Sequence, residues 1–162
     1  VLMNITLELV DYDNEKQANE LLFLLNEYAK DPMGGGSELA SFSKNNLIAE
    51  LQKRPFIFSV ICYVDGKPAG FSNCIEGFST FKCKPLVNIH DFAVNPEFRG
   101  LQLSQLLMNK IEEIAISKGC CKITMEVLEG NHVAKNAYIK AGFKGYELDP
   151  EMGKALFWEK PL

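Results

Sequence analysis

Residues 86–104 read LVNIHDFAVNPEFRGLQLS, and the division of that stretch decides how the chain folds. The run from Leu86 to Val94 is rich in Leu, Val, Ile and Phe and suits a buried strand. Asn95-Pro96 breaks it as a turn, and Arg99 and Gly100 open an amphipathic helix. The first turn of a helix carries amide N–H groups with no intrahelical partner, and its dipole favours an anion there by about 0.3–1 kcal/mol. A strand that feeds such a turn is a candidate phosphate-binding corner. The rival phosphate motifs, G-x-G-x-x-G after a strand and G-x-x-x-x-G-K-S/T, are absent from the sequence.

Downstream, Leu103, Leu106, Leu107, Ile111, Ile114 and Ala115 recur on one face of a helix spanning about 101–118, which Gly119 ends. Residues 122–128, KITMEVL, follow as a strand. Because a helix separates them from 86–94, the two strands should run parallel. Gly130 and Asn131 start another helix, with Val133, Ala134, Ala137, Tyr138 and Ala141 on one side and Gly142 at its close. Residues 143–148 and 156–159 are the last strand candidates.

Upstream, residues 5–10 alternate as a half-buried strand, and Asp13 or Asn14 caps a helix through Ala18, Leu21, Leu22, Leu25, Tyr28 and Ala29 that stops at Asp31-Pro32. The MGGGS stretch at 33–37 reads as a mobile connector, or as a lid whose backbone passes close to something. A second helix covers about 44–53. Residues 56–64 and 68–76 form an antiparallel pair about the Asp65-Gly66 turn. Phe78 and Phe81, in the loop-like 77–84, are core plugs or pocket wall, with core the ordinary reading.

The resulting order is β-α-α-β-β-β-α-β-α-β-β in one domain, residues 1–162. This order, the turn AVNPEFRGLQLS and the later NHVAKNAYIKAGF resemble the GNAT superfamily of acyl-CoA-dependent N-acetyltransferases over residues 5–159, most specifically over 94–143. The resemblance implies an α/β fold, α+β by some schemes. Its sheet is mixed and mostly antiparallel, with a central parallel strand pair and helices on both faces.

The resemblance also implies acetyl-CoA as co-substrate. In the family the turn has the form Arg/Gln-x-x-Gly-x-Gly/Ala, and its amides hold the coenzyme A pyrophosphate. That role maps onto Arg99, Gly100, Leu101, Gln102, Leu103 and Ser104. Here Gln102 stands where the central glycine usually is and Ser104 replaces the final small residue, so a Cβ and side chain at 102 weaken the fit to phosphate. The resemblance further implies that a backbone N–H at Val94 or Phe92 polarises the thioester carbonyl. It places Tyr138 where the family often has the tyrosine that protonates the departing thiolate, against the plain alternative of a tyrosine filling an apolar helix face. Asn131 lies near the pantetheine arm and equally suits a helix N-cap.

His90, with Asn88 and Phe92 on the same strand parity, is the candidate base, against a structural histidine paired with Asp91 or backbone. Asp91, Glu76 and Glu126 stand in reserve. The acceptor is a primary amine, small-molecule in the leading reading. A non-catalytic acyl-CoA sensor and a protein-lysine or N-terminal acetyltransferase are the alternatives.

A net charge of −4 argues against a nucleic-acid partner. Five cysteines, odd in number and with no zinc spacing, read as buried free thiols of a reducing, cytoplasmic compartment, and no metal site is expected. No apolar run approaches the roughly 20 residues of a membrane span. The C-terminal Phe157 and Trp158 lie on an edge that pairs across a homodimer or is buried within the monomer.

Overall fold

The computed structural model describes residues 2–162, which divide into two compact units, one up to Leu128 and one from Glu129. The first holds a five-stranded sheet in the order β1-β2-β3-β4-β5, made of β1 (Ile5–Leu9), β2 (Ile57–Val64), β3 (Lys67–Ser79), β4 (Lys84–Val94) and β5 (Ile123–Met125). All neighbours are antiparallel except β4 and β5, which are parallel, as the helix between them requires. The β2–β3 turn has Asp65 at φ 49° and Gly66 at φ 79°, the mirror-image backbone that suits the right-handed twist of a hairpin.

The two faces of the sheet are covered by different helices. On one, α1 (Glu15–Lys30) and α2 (Ser41–Gln52) bury Leu21, Leu24 and Leu51 with Ile61, Tyr63 and Phe71, and Ala93 packs against them. Asn14 accepts from the Gln17 N–H as N-cap of α1. On the other face lies α3 (Leu103–Ser117), with Leu103, Leu107, Met108, Ile111 and Ala115 buried. Gly70 makes this approach possible. A Cβ there would stand 3.2 Å from Leu107 Cδ1 and 3.4 Å from Val94 Cγ2.

Several expectations change. The strand of residues 122–128 shortens to Ile123–Met125, and 143–148 and 156–159 form no strand, so the parallel pair closes one end of the sheet. The Ala155 N–H donates to the Tyr146 carbonyl just ahead of the second segment, and such a bond by itself makes no ladder. β3 extends to Ser79, confining the β3–β4 turn to residues 80–83. Phe78 and Phe81 are 59% and 96% exposed, so they plug no core: one sits at the strand end and the other in the turn.

The glycine stretch is a hydrogen-bonded turn. Gly34 and Gly36 N–H both donate to the Asp31 carbonyl, Ser37 N–H donates to that of Ala29, and a Cβ at Gly34 would overlap the Tyr28 carbonyl. Close backbone approach is the part of the expectation that holds. Cys62 and Cys74 are buried as foreseen, but Cys83 is exposed and Cys120 and Cys121 are half-buried.

In the second unit, α4 (His132–Lys140) begins at Asn131, whose side chain accepts from the Ala134 N–H. It ends in a turn where Gly142, at φ 97°, lets the Phe143 N–H reach the Tyr138 carbonyl. Among the described residues no helix is long and apolar enough to cross a membrane, and no cluster of His, Cys, Asp and Glu has the arrangement to hold a metal.

Candidate active site

The site is built where β4 outruns its parallel neighbour. β5 pairs only with Val87, Asn88 and Ile89, through Ile123, Thr124 and Met125, whereas β4 continues to Val94. From His90 onward the β5-facing edge of β4 therefore has no paired strand, a gap in the ladder. The direction of the amides follows from the ladder. Asn95 N–H donates to the Ala69 carbonyl on β3, so the two-residue repeat turns the Val94 and Phe92 N–H groups the other way, toward the gap.

His90 is the extra residue of a bulge. Asn73 pairs with Asp91 and Cys74 with Ile89, so His90 has no partner on β3. The bulge also resets the side-chain alternation. Asn88 shares a face with Asp91 and Ala93, and Phe92 shares the opposite face with Ile89 and Val94. The expected common parity of Asn88, His90 and Phe92 is thus corrected, because an inserted residue shifts every later side chain across the sheet. The Asp91 carboxylate beside it takes the Asn73 Nδ2–H on Oδ2 at 3.0 Å. The imidazole is exposed.

Four polar groups make one rung across the α1/α2 face: Tyr12 Oη to Ser59 Oγ at 2.7 Å, Ser59 Oγ to Asn73 Oδ1 at 2.6 Å, and Asn73 Nδ2 to Asp91. Ser59 is fully buried and Asn73 is 7% exposed. Tyr28 of α1 stands near the end of the rung. Burial raises its phenol first, and the charges of Asp91 and Asp31 push it further the same way. Tyr12, Ser59, Asn73 and Tyr28 were not singled out as site residues from the sequence. They lie on separate elements with no motif spacing, and only the register of β2, β3 and β4 joins Ser59 and Asn73 to Asp91.

Past β4, a 3-10 turn (Pro96–Phe98) capped by Asn95 leads to Arg99, Gly100 and α3. Gly100 has φ 86°, and Gln102 is held in the left-handed region at φ 59°, the conformation that a glycine at 102 would take without strain. No side chain caps α3. Leu106 N–H closes the first turn on the Gln102 carbonyl, so the N–H groups of Leu103, Ser104 and Gln105 precede the helical ladder. Leu101 is half-buried and the Ser104 hydroxyl lies in this first turn.

Of the reserve acids, Glu76 lies 3.4 Å from Lys118, and Glu126 is exposed just beyond β5. In the second unit Tyr138 is half-buried, with its ring 6.2 Å from that of Phe143, edge to face.

A family model, acetyltransferase (GNAT) family, matches residues 18–143. The chain belongs to this family. An uncharacterized N-acetyltransferase of Methanocaldococcus jannaschii is 32% identical over 99 residues, 60% of this chain and 44% of that protein. Thialysine N-ε-acetyltransferase of Bos taurus is 29% identical over 103 residues, 59% of this chain and 53% of that protein. The GNAT chain thus matches about half the length of these curated relatives. Among solved structures, the aminoglycoside N-acetyltransferase AAC(6')-Iy in complex with CoA superposes with a TM-score of 0.74 at 16% identity, over 100% of this chain and 98% of that one. Likeness at that identity establishes the GNAT fold and leaves the chemistry to the site.

Proposed function

We propose that this GNAT chain transfers an acetyl group from acetyl-CoA to a primary amine by direct attack, with a small-molecule amine as acceptor. The observation that carries the reading is the end of β4–β5 pairing at Ile89, which leaves the Val94 amide facing the gap in the ladder a few residues before the uncapped start of α3. In this reading the α3 amides and Arg99 bind the pyrophosphate, the acyl arm enters the gap, and the Val94 N–H donates to the thioester carbonyl as it becomes an oxyanion.

The acceptor approaches from the bulge. Its ammonium form is attracted by the Asp91 carboxylate, His90 accepts the proton that frees the nitrogen, and the amine attacks the carbonyl carbon. The tetrahedral adduct loses its second nitrogen proton to water, the carbon–sulfur bond breaks as the amide forms, and Tyr138 gives its proton to the departing coenzyme A thiolate and regains one from solvent. The protein itself forms no covalent bond. Free thiols at all five cysteines suit a reducing compartment, which is why we assign the chain to the cytoplasm.

The test is thiol release from acetyl-CoA over a panel of thialysine, kanamycin, spermidine and a lysine peptide, with calorimetric binding of coenzyme A as control. Release with one small amine supports the proposal. Release with the peptide alone redirects it to a protein acceptor. Binding without release anywhere supports a sensing module instead, and absence of binding overturns the reading.

A further inference from the structure

We propose that Tyr12, Ser59 and Asn73 act as a one-way hydrogen-bond relay that positions the Asp91 carboxylate at the bulge of β4, with one oxygen held and the other presented to the acceptor amine. The inference rests on the reading that Asp91 faces the acceptor.

The direction of the relay follows from its chemistry. A carboxylate only accepts, so the Asn73 group beside Asp91 is the amide NH2, at 3.0 Å. That orientation turns Oδ1 toward β2, where the Ser59 hydroxyl donates to it at 2.6 Å. The hydroxyl has one proton, so the Tyr12 phenol, 2.7 Å away, is the donor to Ser59. Burial raises the Tyr12 phenol above its usual range, outweighing the Ser59 bond, and this keeps it protonated as that assignment needs. Every proton therefore points toward Asp91, and aligned donors of this kind strengthen one another in a dry setting.

The alternative is that the four groups only satisfy one another. The position of the rung argues for more. It crosses the same face as the apolar rung Ile61, Phe71 and Ala93, two residues away, where apolar side chains would fill the space without desolvation cost. It terminates on the residue next to the bulge, and of the Asp91 carboxylate oxygens Oδ2 is the one engaged by described side chains, which leaves Oδ1 for a further donor. The titratable groups that sense this carboxylate are Tyr28 from α1 and, through the sheet from its other face, Cys74 of β3, and His90 is its neighbour on β4.

Without the Ser59 donor the Asn73 amide has no reason to prefer this orientation, and its flip puts oxygen against oxygen at Asp91. The experiment uses the full chain, labelled with carbon-13 and nitrogen-15, and reads the three-bond N–Cγ coupling of Asp91, which reports its χ1 rotamer. The parent should show a single-rotamer value. Ser59→Ala should show an averaged one, Tyr12→Phe a smaller change in the same direction, and Ser59→Thr a return to the parent value. With thialysine or whichever amine of the panel is turned over, KM for the amine should rise roughly tenfold in Ser59→Ala while KM for acetyl-CoA stays put, the size expected for one charge-assisted hydrogen bond.

Unchanged coupling in Ser59→Ala overturns the relay, and Tyr12→Phe, which keeps the ring and removes one oxygen, decides the matter if Ser59→Ala does not fold. The two failures are separable. A locked Asp91 that loosens in the variants, in a chain that acetylates nothing, upholds the relay and removes the acetyltransfer reading. Turnover with an unmoved Asp91 does the reverse.

Discussion

Arg99 Nη2 lies 4.0 Å from Asp31 Oδ2, and this ion pair ties the turn after α1 to the turn before α3. Both side chains are well exposed, so the pair contributes about 0–1 kcal/mol to stability. Its interest is electrostatic. Asp31 sets a negative charge beside the guanidinium that we assign to the coenzyme A pyrophosphate. Asp31 also accepts from the Met33 N–H, a cap that asparagine retains. Asp31→Asn should therefore tighten coenzyme A roughly two- to fivefold at low salt, an effect that fades as salt screens the charge. Isothermal titration at two ionic strengths measures it, and weaker binding in the variant would remove Arg99 from the phosphate site.

Gln102 is the residue whose substitution should improve the protein twice. A non-glycine residue in the left-handed region costs about 1 kcal/mol, and the Cβ stands among the amides that face the phosphate in our reading. Gln102→Gly should raise the urea midpoint by the equivalent of about 0.5–1 kcal/mol, after the entropy that glycine adds to the unfolded chain, and lower the coenzyme A Kd. Stability gained without any gain in affinity would show that the side chain at 102 already points clear of the ligand.

The alkaline limit of stability follows from buried thiols and phenols. Burial raises Cys62 to about 11 and Cys74 to about 12, and raises Tyr12, Tyr28 and Tyr63 above 10.0. A folded value above the unfolded one means that the folded state holds the proton longer. The contribution is intact below the unfolded values, 9.0 for thiols and 10.0 for phenols, and is lost as pH rises toward the folded ones. Urea midpoints should be level from pH 7 to about 9 and fall above that, with Cys74→Ala flattening the first part of the fall. At pH 8 a thiol reagent should modify exposed Cys83 promptly and leave Cys62 and Cys74 unmodified until the chain unfolds. Rapid modification of Cys74 in the folded protein would contradict its burial.

Tyr138→Phe deletes one oxygen and keeps the edge-to-face contact with Phe143. If the phenol protonates the departing thiolate, kcat should drop by about 10²-fold, with KM for acetyl-CoA and the melting temperature little changed. A kcat within a factor of two of the parent assigns the ring to packing alone.

Local chemistry made much of this protein legible from its sequence. Asn14, Gly66, Asn131 and Gly142 announce a cap, a hairpin and both ends of α4, because each acts on backbone groups a few residues away. The parallel pairing of β4 with β5 follows from the helix between them. The strand, turn and uncapped helix of residues 86–104 likewise mark the candidate phosphate corner within one continuous stretch of chain. Phe78 and Phe81 show where this reasoning ends, since aromatic character promotes burial only if some other element arrives to cover it.

Tertiary structure decided what depends on register. The bulge at His90 exists only relative to Asn73 and Cys74 on the neighbouring strand, yet it sets which side chains of β4 face α1 and which face α3. The rung from Tyr12 to Asp91 joins a loop and three strands whose positions in sequence share no spacing. Caps and turns are interactions within one stretch of chain and can be read along it. A cross-strand rung is an interaction between stretches, and its members are named only when the strands are aligned.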